Sequence, residues 1–466
     1  MIKKLSYLLN KDKKQPLYLQ LYQQIKRSIY QQELQLNDKL PSKRRLSEHL
    51  QISQNTVERA YAQLLAEGYI ESKARSGFLV CFQSEHTYPT TCYSKKITKI
   101  TASTNYLLDF NPNKIDIDHF PLKQWKKCAN LDHNTWLNSG EPQGDLNLRQ
   151  QISQYLLASR GVHCEAEQII IGAGVESCLQ RLILLFQQLQ PEMNWAMESY
   201  GYTTVEKLLN LYHKPIVKMP FSTENYPLDI GFLTQNKIDI AYLTPSHLYP
   251  FGHILTINQR QSLLEWAIAK TGRYIIEDDY DSEFRYQGKP IPSLQSLDNH
   301  GKVIYLGSFS KLLMPSLRIT FLVLPKTLLN AYQQYCGFLN VTVSRLEQQR
   351  LAKFIQTGEF EKHINRMRKV YRRKMELLYQ LLTPYSYCIR YYGEHSGFYL
   401  LIELYNETRS LAKLVQLAET HRIKVYPIEY QNKKLFSLGF GHLTEAQLRK
   451  GITQLFNCWQ IKPQAV

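Results

Sequence analysis

Apolar residues along the first eighty positions recur at helical spacing. Leu17, Leu21, Ile25 and Ile29 share one face of a helix predicted over 16–30. A polar turn containing Asn37-Asp38 separates it from Pro41-Ser42, which opens a second helix with Ser42 as N-cap and Leu46 and Leu50 turned inward. Ser53 caps a third helix carrying Val57, Tyr61 and Leu64/Leu65, and Gly68 stands at the C′ position that ends it. Two strand-like runs, Tyr69-Ile-Glu-Ser72 and Gly77-Phe-Leu-Val-Cys81, flank a turn and predict a hairpin.

Residues 83–107 break the pattern. They are polar, rich in Ser, Thr and Lys, and show little periodicity, which predicts a linker between a domain at 1–82 and a second at 108–466. Beyond 108, short apolar runs alternate with helical stretches. Strands are predicted over 168–172, 238–243, 273–277 and 302–306, and helices over 146–159, 175–189 and 258–270. That alternation predicts an α/β fold with a parallel sheet.

Composition agrees with a globular protein of two or three domains: 466 residues, 44% hydrophobic and 21% charged. The net charge of +17 favours a polyanionic partner. Positive charge is denser at the start, where residues 1–82 hold fourteen Lys/Arg against seven Asp/Glu. The eight cysteines form no CxxC pair and no metal spacing, so reduced thiols and no metal site are expected. The apolar stretch at the N-terminus is too short for a signal peptide, and no run approaches the ~20 apolar residues of a membrane span. A cytoplasmic protein is expected.

Three helices followed by a hairpin predict a winged helix-turn-helix that reads double-stranded DNA. Short polar side chains in Ser53-Gln-Asn-Thr-Val57 can reach base edges and phosphates from the first turn of a recognition helix. Lys43, Arg44, Arg45, Arg59 and the wing pair Lys73/Arg75 supply cations for phosphates. A solvated charged face is the plainer alternative for any one of them.

A second constellation lies downstream. Pyridoxal 5'-phosphate (PLP) chemistry needs a lysine for the internal aldimine, a carboxylate to hold the pyridine nitrogen protonated, donors for the phosphate and an aromatic ring to stack. Lys311, in Ser308-Phe-Ser-Lys311 just after a predicted strand, is the candidate lysine. Asp278 ends another predicted strand, where its carboxylate can reach a site at the carboxyl edge of the sheet. Tyr280, two residues on, can donate to the ring oxygen. Ser308, Ser310, Arg318 and the backbone amides of Gly174, Val175 and Glu176 at a helix start can bind phosphate.

Both constellations carry resemblances. Pro16-Leu-Tyr-Leu-Gln-Leu-Tyr22, Leu40-Pro-Ser42, Asn55-Thr-Val-Glu-Arg-Ala-Tyr61 and Glu67-Gly-Tyr69 resemble the GntR-type winged helix. The resemblance implies DNA contacts by Ser42, Lys43, Arg44, Arg45, Ser53, Asn55, Thr56 and Arg59, with Gly77 as the wing glycine. Residues 108–460 resemble fold-type-I aminotransferases, through Gly140-Glu-Pro-Gln-Gly-Asp-Leu-Asn-Leu-Arg149, Ser159-Arg-Gly-Val162, Glu198-Ser-Tyr-Gly-Tyr202 and Thr244-Pro-Ser-His247. That implies Tyr202 stacked on the ring, Lys311 carrying the aldimine, Asp278 on the ring nitrogen, Tyr280 on the ring oxygen and Arg318 on the phosphate. The order of the two parts resembles the MocR family of GabR-type transcriptional regulators. It implies a head-to-tail, domain-swapped homodimer on operator DNA, responding to PLP itself or to an amine or amino acid. The basic run 363–374 also resembles that family's, and its cations either touch flanking DNA or form a solvated face.

Several positions depart from the pattern. The arginine that grips a substrate carboxylate near the C-terminal Leu-Gly-Phe motif is missing from Lys433-Lys-Leu-Phe-Ser-Leu-Gly-Phe440; Lys433 or Lys434 is the weaker substitute. Tyr200 replaces a proline, His247-Leu-Tyr-Pro-Phe-Gly252 has a more apolar rim with Tyr249 in an asparagine's place, and Ser139 replaces a tyrosine. These changes weaken transamination more than cofactor binding. Three functions therefore compete: a PLP-dependent regulator, an aminotransferase carrying a reader, and a DNA-binding protein whose large domain only dimerises.

Overall fold

A computed structural model describes residues 7–10, 15–74, 76–82, 106–129, 138–220, 229–286, 288, 291–393 and 396–464. The chain divides into two compact units, residues 1–103 and 104–466. Arg75 and most of the expected 83–107 linker lie outside the described residues.

In the first unit, helices α1 (Leu17–Tyr30), α2 (Lys43–Leu50) and α3 (Gln54–Ala66) precede the antiparallel hairpin β1 (Ile70–Lys73) and β2 (Gly77–Val80). Ser42 and Ser53 cap α2 and α3 by accepting from the backbone N–H of Arg45 and Thr56. Gly68 follows α3 at φ +74°, a left-handed conformation that a side chain would strain. The inward stripe of α1 (Leu21, Ile25, Ile29) meets Leu46, Val57, Tyr61 and Leu64 in one buried cluster. Tyr61 donates its hydroxyl to the Pro41 carbonyl at 2.9 Å, tying α3 to the start of α2.

The second unit begins with the short strand β3 (Leu108–Asp109). Its main sheet has seven strands: β4 (Ile169–Gly172), β5 (Trp195–Glu198), β6 (Ile216–Met219), β7 (Ile240–Leu243), β8 (Tyr274–Asp279), β9 (Val303–Ser308) and β10 (Thr320–Val323). Their order is β4-β10-β9-β8-β7-β5-β6. Parallel pairing runs from β9 to β6, as the alternation predicted, whereas β10 is antiparallel to both neighbours. Helices α4 (Leu146–Arg160) and α5 (Val175–Leu189) bracket β4 in sequence. Side chains alternate between faces: Ile170, Ile276, Ile304 and Leu322 pack with α5, and Ile169, Ile171, Tyr305 and Phe321 pack in the opposite cluster.

The remainder carries β11 (Ile389–Tyr392), β12 (Tyr399–Leu404), β13 (Ile423–Lys424), β14 (Tyr426–Tyr430) and β15 (Lys433–Gly439). They form a four-stranded antiparallel sheet, β11-β12-β15-β14, while β13 pairs with β3.

Candidate functional site

Strand polarity gathers the site at one edge of the main sheet. Ser308 ends β9 and lies opposite Thr320 at the start of β10, which in turn lies opposite Gly172 at the end of β4. Arg318, the start of α5 and the segment leading to Lys311 therefore meet at the edge where β8 delivers Asp278. This is the crevice at the carboxyl ends of the strands where ligands bind in open α/β sheets.

Strand alternation separates the three carboxylates of Glu277-Asp-Asp279. Glu277 accepts from the backbone N–H of Leu294 and Gln295 at 2.7 and 2.8 Å. Asp279 binds Arg160 and the Tyr305 hydroxyl, each at 2.7 Å. Asp278 faces the other way, where the Tyr242 hydroxyl donates to its Oδ2. Its buried Oδ1 has no protein partner among the described residues. Burial pushes the Asp278 carboxyl up to about 7, so a cation placed beside it would draw it into the ionised form.

Lys311 places its ammonium 4.5 Å from the Tyr280 ring centroid and 5.9 Å from that of Phe398. Burial lowers its pKa, while Asp281 and Asp278 offset part of that shift. A lysine held in this way has more of the neutral amine that attacks an aldehyde. Tyr280, expected to serve a ring oxygen, donates its hydroxyl to the His247 carbonyl at 2.9 Å. His247 stacks between Tyr280 and Tyr399, and its Nδ1 lies 2.8 Å from both oxygens of Asp281. Sequence reasoning missed this buried pair, although His247 stands in a motif it had singled out.

The expected phosphate donors also converge. Gly174 has φ +92°, and a Cβ there would come within 2.1 Å of Arg318 Nη2, so only glycine admits the arginine. Helix α5 starts at Val175, and its first N–H groups have no carbonyl within the helix to bond. Among the described residues, the buried Ser310 hydroxyl has no partner. The Ser308 hydroxyl receives the Ser310 N–H and the Thr320 hydroxyl, each at 3.2 Å. Arg318 pairs with the Glu176 carboxylate at 2.7 Å. Tyr202, the expected stacking ring, is exposed and has its hydroxyl 3.5 Å from the same carboxylate.

Where a carboxylate-binding arginine was sought, β15 presents Leu435 to Phe251, Leu401 and Tyr430. Ser437 shares that face, is fully buried and interacts with the Tyr249 phenol. Neither lysine supplies the missing cation: Lys433 pairs with Glu403 at 3.5 Å, and Lys434 projects from the opposite face to Leu435. Tyr200 packs against this aromatic cluster and donates to the Glu429 carbonyl. Ser139 borders Gly140, away from these groups in sequence.

The residues fit PLP. An unpartnered buried carboxylate oxygen suits a protonated ring nitrogen, a lysine with lowered pKa suits an aldehyde, and a glycine-lined helix start with Arg318 and Ser310 suits a phosphate ester.

In the first unit, Ser42, Arg44, Arg45, Ser53, Asn55, Arg59 and Gly77 are exposed, and Lys43 and Thr56 are half-buried. Their charges are not equally available. Lys43 pairs with Glu58 at 2.6 Å and Arg44 with Glu48 at 2.9 Å. Among the described residues, no ion pair engages Arg45 or Arg59. The Ser53 hydroxyl is shared with Thr56 at 2.8 Å, and the Asn55 amide of the same turn is exposed. Farther along the chain, the helix Glu359–Leu382 exposes Lys362, Arg366, Lys369, Arg372 and Arg373, while His363 and Lys374 are buried. The basic run 363–374 is thus split between a core face and a charged face.

Residues 17–80 match the family of bacterial regulatory proteins, gntR family, and residues 106–455 match aminotransferase class I and II. The uncharacterized HTH-type transcriptional regulator YdeL of Bacillus subtilis (strain 168) is 40% identical over 464 residues, covering 97% of this chain and 99% of that protein. The probable rhizopine catabolism regulatory protein MocR of Rhizobium meliloti is 31% identical, covering 80% and 78%. The HTH-type pyridoxine biosynthesis transcriptional regulator PdxR of Corynebacterium glutamicum is 28% identical, covering 82% of each. Among solved structures, the multiple substrate aminotransferase from Thermococcus profundus superposes with a TM-score of 0.66 at 19% identity, over 81% of this chain and 97% of that one. Fold and comparisons define a DNA-binding regulator built on a fold-type-I aminotransferase scaffold. The chain belongs to the MocR/GabR-type transcriptional regulators. No described helix is long and apolar enough to cross a membrane.

Proposed function

We propose that this regulator takes PLP on Lys311 and changes its operator binding in response, with the cofactor itself as the preferred signal and an amino compound as the alternative. When bound, the cofactor supplies an aldehyde that condenses with amines and a ring that withdraws electrons. Asp278 would hold the proton on the ring nitrogen, and Tyr242 fixes the carboxylate in place. Lys311 contributes the amine. The backbone amides of Gly174, Val175 and Glu176, with Ser308, Ser310 and Arg318, would hold the phosphate, and Tyr202 would stack on the ring. The observation that carries this reading is the buried, unpartnered Asp278 Oδ1 on the same sheet edge as Lys311. The preference for the cofactor over an amino acid rests on Ser437, which stands buried next to Leu438-Gly-Phe440 and has no charge for a carboxylate. The retained Lys311 and Asp278 also suit an aminotransferase, but that activity requires a grip on the substrate carboxylate that this face lacks.

The proposed assembly is a homodimer whose two readers occupy two operator half-sites. The ligand shifts the balance of reader arrangements by as much as its affinities for them differ. Borohydride reduction of the protein with added PLP, followed by peptide mass mapping, tests the cofactor assignment. The expected result is one phosphopyridoxyl group on the peptide containing Lys311. Modification spread over other lysines, or none, would refute it.

A further inference from the structure

Glu176 is the second residue of α5 and places a carboxylate where the phosphate of the cofactor is expected. One oxygen takes the Arg318 Nη2 at 2.7 Å, and the other lies 3.5 Å from the Tyr202 hydroxyl. The Gly174 conformation brings Arg318 into this contact, because a side chain there would collide with the guanidinium and with Glu176 Oε2. Two sources of positive potential make this a phosphate cup, the helix N-terminus and Arg318. Both already serve a carboxylate of the chain itself.

We infer that Glu176 is an internal competitor for the phosphate subsite, which sets the affinity for the phosphorylated cofactor and so the concentration at which the regulator responds. The inference rests on the reading that Lys311 takes PLP. The ion pair is half-exposed, with side-chain exposures of 51% for Arg318 and 35% for Glu176, so exchanging it for another anion costs little in itself. The larger effect comes from the position of the carboxylate. A phosphate dianion at Arg318 must either share the guanidinium with a like charge, losing part of a bidentate contact, or turn Glu176 out toward solvent and break its pair with Arg318. A sensor of cofactor level responds where its dissociation constant matches that level, and such a restraint raises the constant. A phosphate cup without it would fill at a lower cofactor concentration.

The competition predicts a phosphate-specific signature. Wild type, Glu176→Gln and Glu176→Ala are titrated with PLP and with pyridoxal, which has the same aldehyde and ring but no phosphate, following the visible absorbance of the lysine-bound aldehyde. Glutamine keeps the shape and hydrogen bonding of the side chain and removes only the charge; alanine gives an independent variant should the first fold poorly. Each variant is expected to bind PLP about tenfold more tightly than wild type, a change of ~1.4 kcal/mol, with pyridoxal affinity unchanged. Equal or weaker PLP binding would overturn the inference and make Glu176 a residue that aligns Arg318 for the phosphate. A gain shared equally by pyridoxal would overturn it too, since the effect would not then act through the phosphate. Absence of the lysine-bound absorbance in wild type and variants alike would instead refute the cofactor assignment on which the inference stands.

Discussion

Replacing Lys311 by alanine is expected to remove the visible chromophore and to weaken PLP binding on the order of a hundredfold, about 2.7 kcal/mol. The covalent link is the one contact to the cofactor that no neighbouring residue can replace. What remains in the variant is the charge pair at Asp278, the phosphate donors and ring contacts. The substitution should leave the fold intact. Lys311 lies over the faces of Tyr280 and Phe398 and forms no ion pair among the described residues, so its loss breaks no direct charge pair and removes only the attraction at a distance to Asp281 and Asp278. Absorbance titration measures the affinity, and thermal unfolding without cofactor confirms that the two proteins are equally stable. A variant that keeps the chromophore would place the attachment on another lysine.

The second large effect is expected at the reader. Arg45→Ala and Arg59→Ala should each lower operator affinity on the order of tenfold and reduce the dependence on salt by about one released counterion. Together they should approach a hundredfold if they act independently. Lys43→Ala and Arg44→Ala should cost less. Lys43 is already paired with Glu58 and Arg44 with Glu48, so binding DNA gains less from cations whose charge is partly neutralised. Fluorescence anisotropy with a labelled operator across a salt series separates the two classes. Equal losses at all four positions would show that the ion pairs do not govern their availability.

Much of this architecture was legible in the sequence because its signals are local. Ser42 and Ser53 cap helices by contacts three residues away, and Gly68 ends a helix by its own conformation, so short windows were enough. The buried strands β4, β7, β8 and β9 appeared as apolar runs between helical patterns. Strand β10 did not, since four residues following a 3-10 turn give no periodicity of their own, and its antiparallel direction comes from long-range pairing with Gly172 and Ser308. The C-terminal sheet was missed as well: β11 with β12 and β14 with β15 are local pairings, and only β12 with β15 joins more distant segments.

The site divides in a similar way. Asp278 was singled out as the end of a predicted strand, and in the structure alternation along that strand turns it away from Glu277 and Asp279. What the sequence could not supply is the state of each side chain. Tyr280 was expected to reach a ring oxygen, and its hydroxyl donates to the His247 carbonyl. Glu176 was expected to serve through its backbone, and its carboxylate turns out to hold Arg318. Lys433 was a candidate for the missing arginine, but Glu403 engages it across the neighbouring strand. Each depends on a partner that folding brings from a distant segment.

The most direct test of the account titrates the upstream intergenic DNA with wild type and Lys311→Ala, each with and without PLP. Coupling through Lys311 predicts that the cofactor changes affinity or footprint for wild type and leaves the variant unmoved, while both bind equally without it. An identical response in both proteins, or none in wild type, would contradict it.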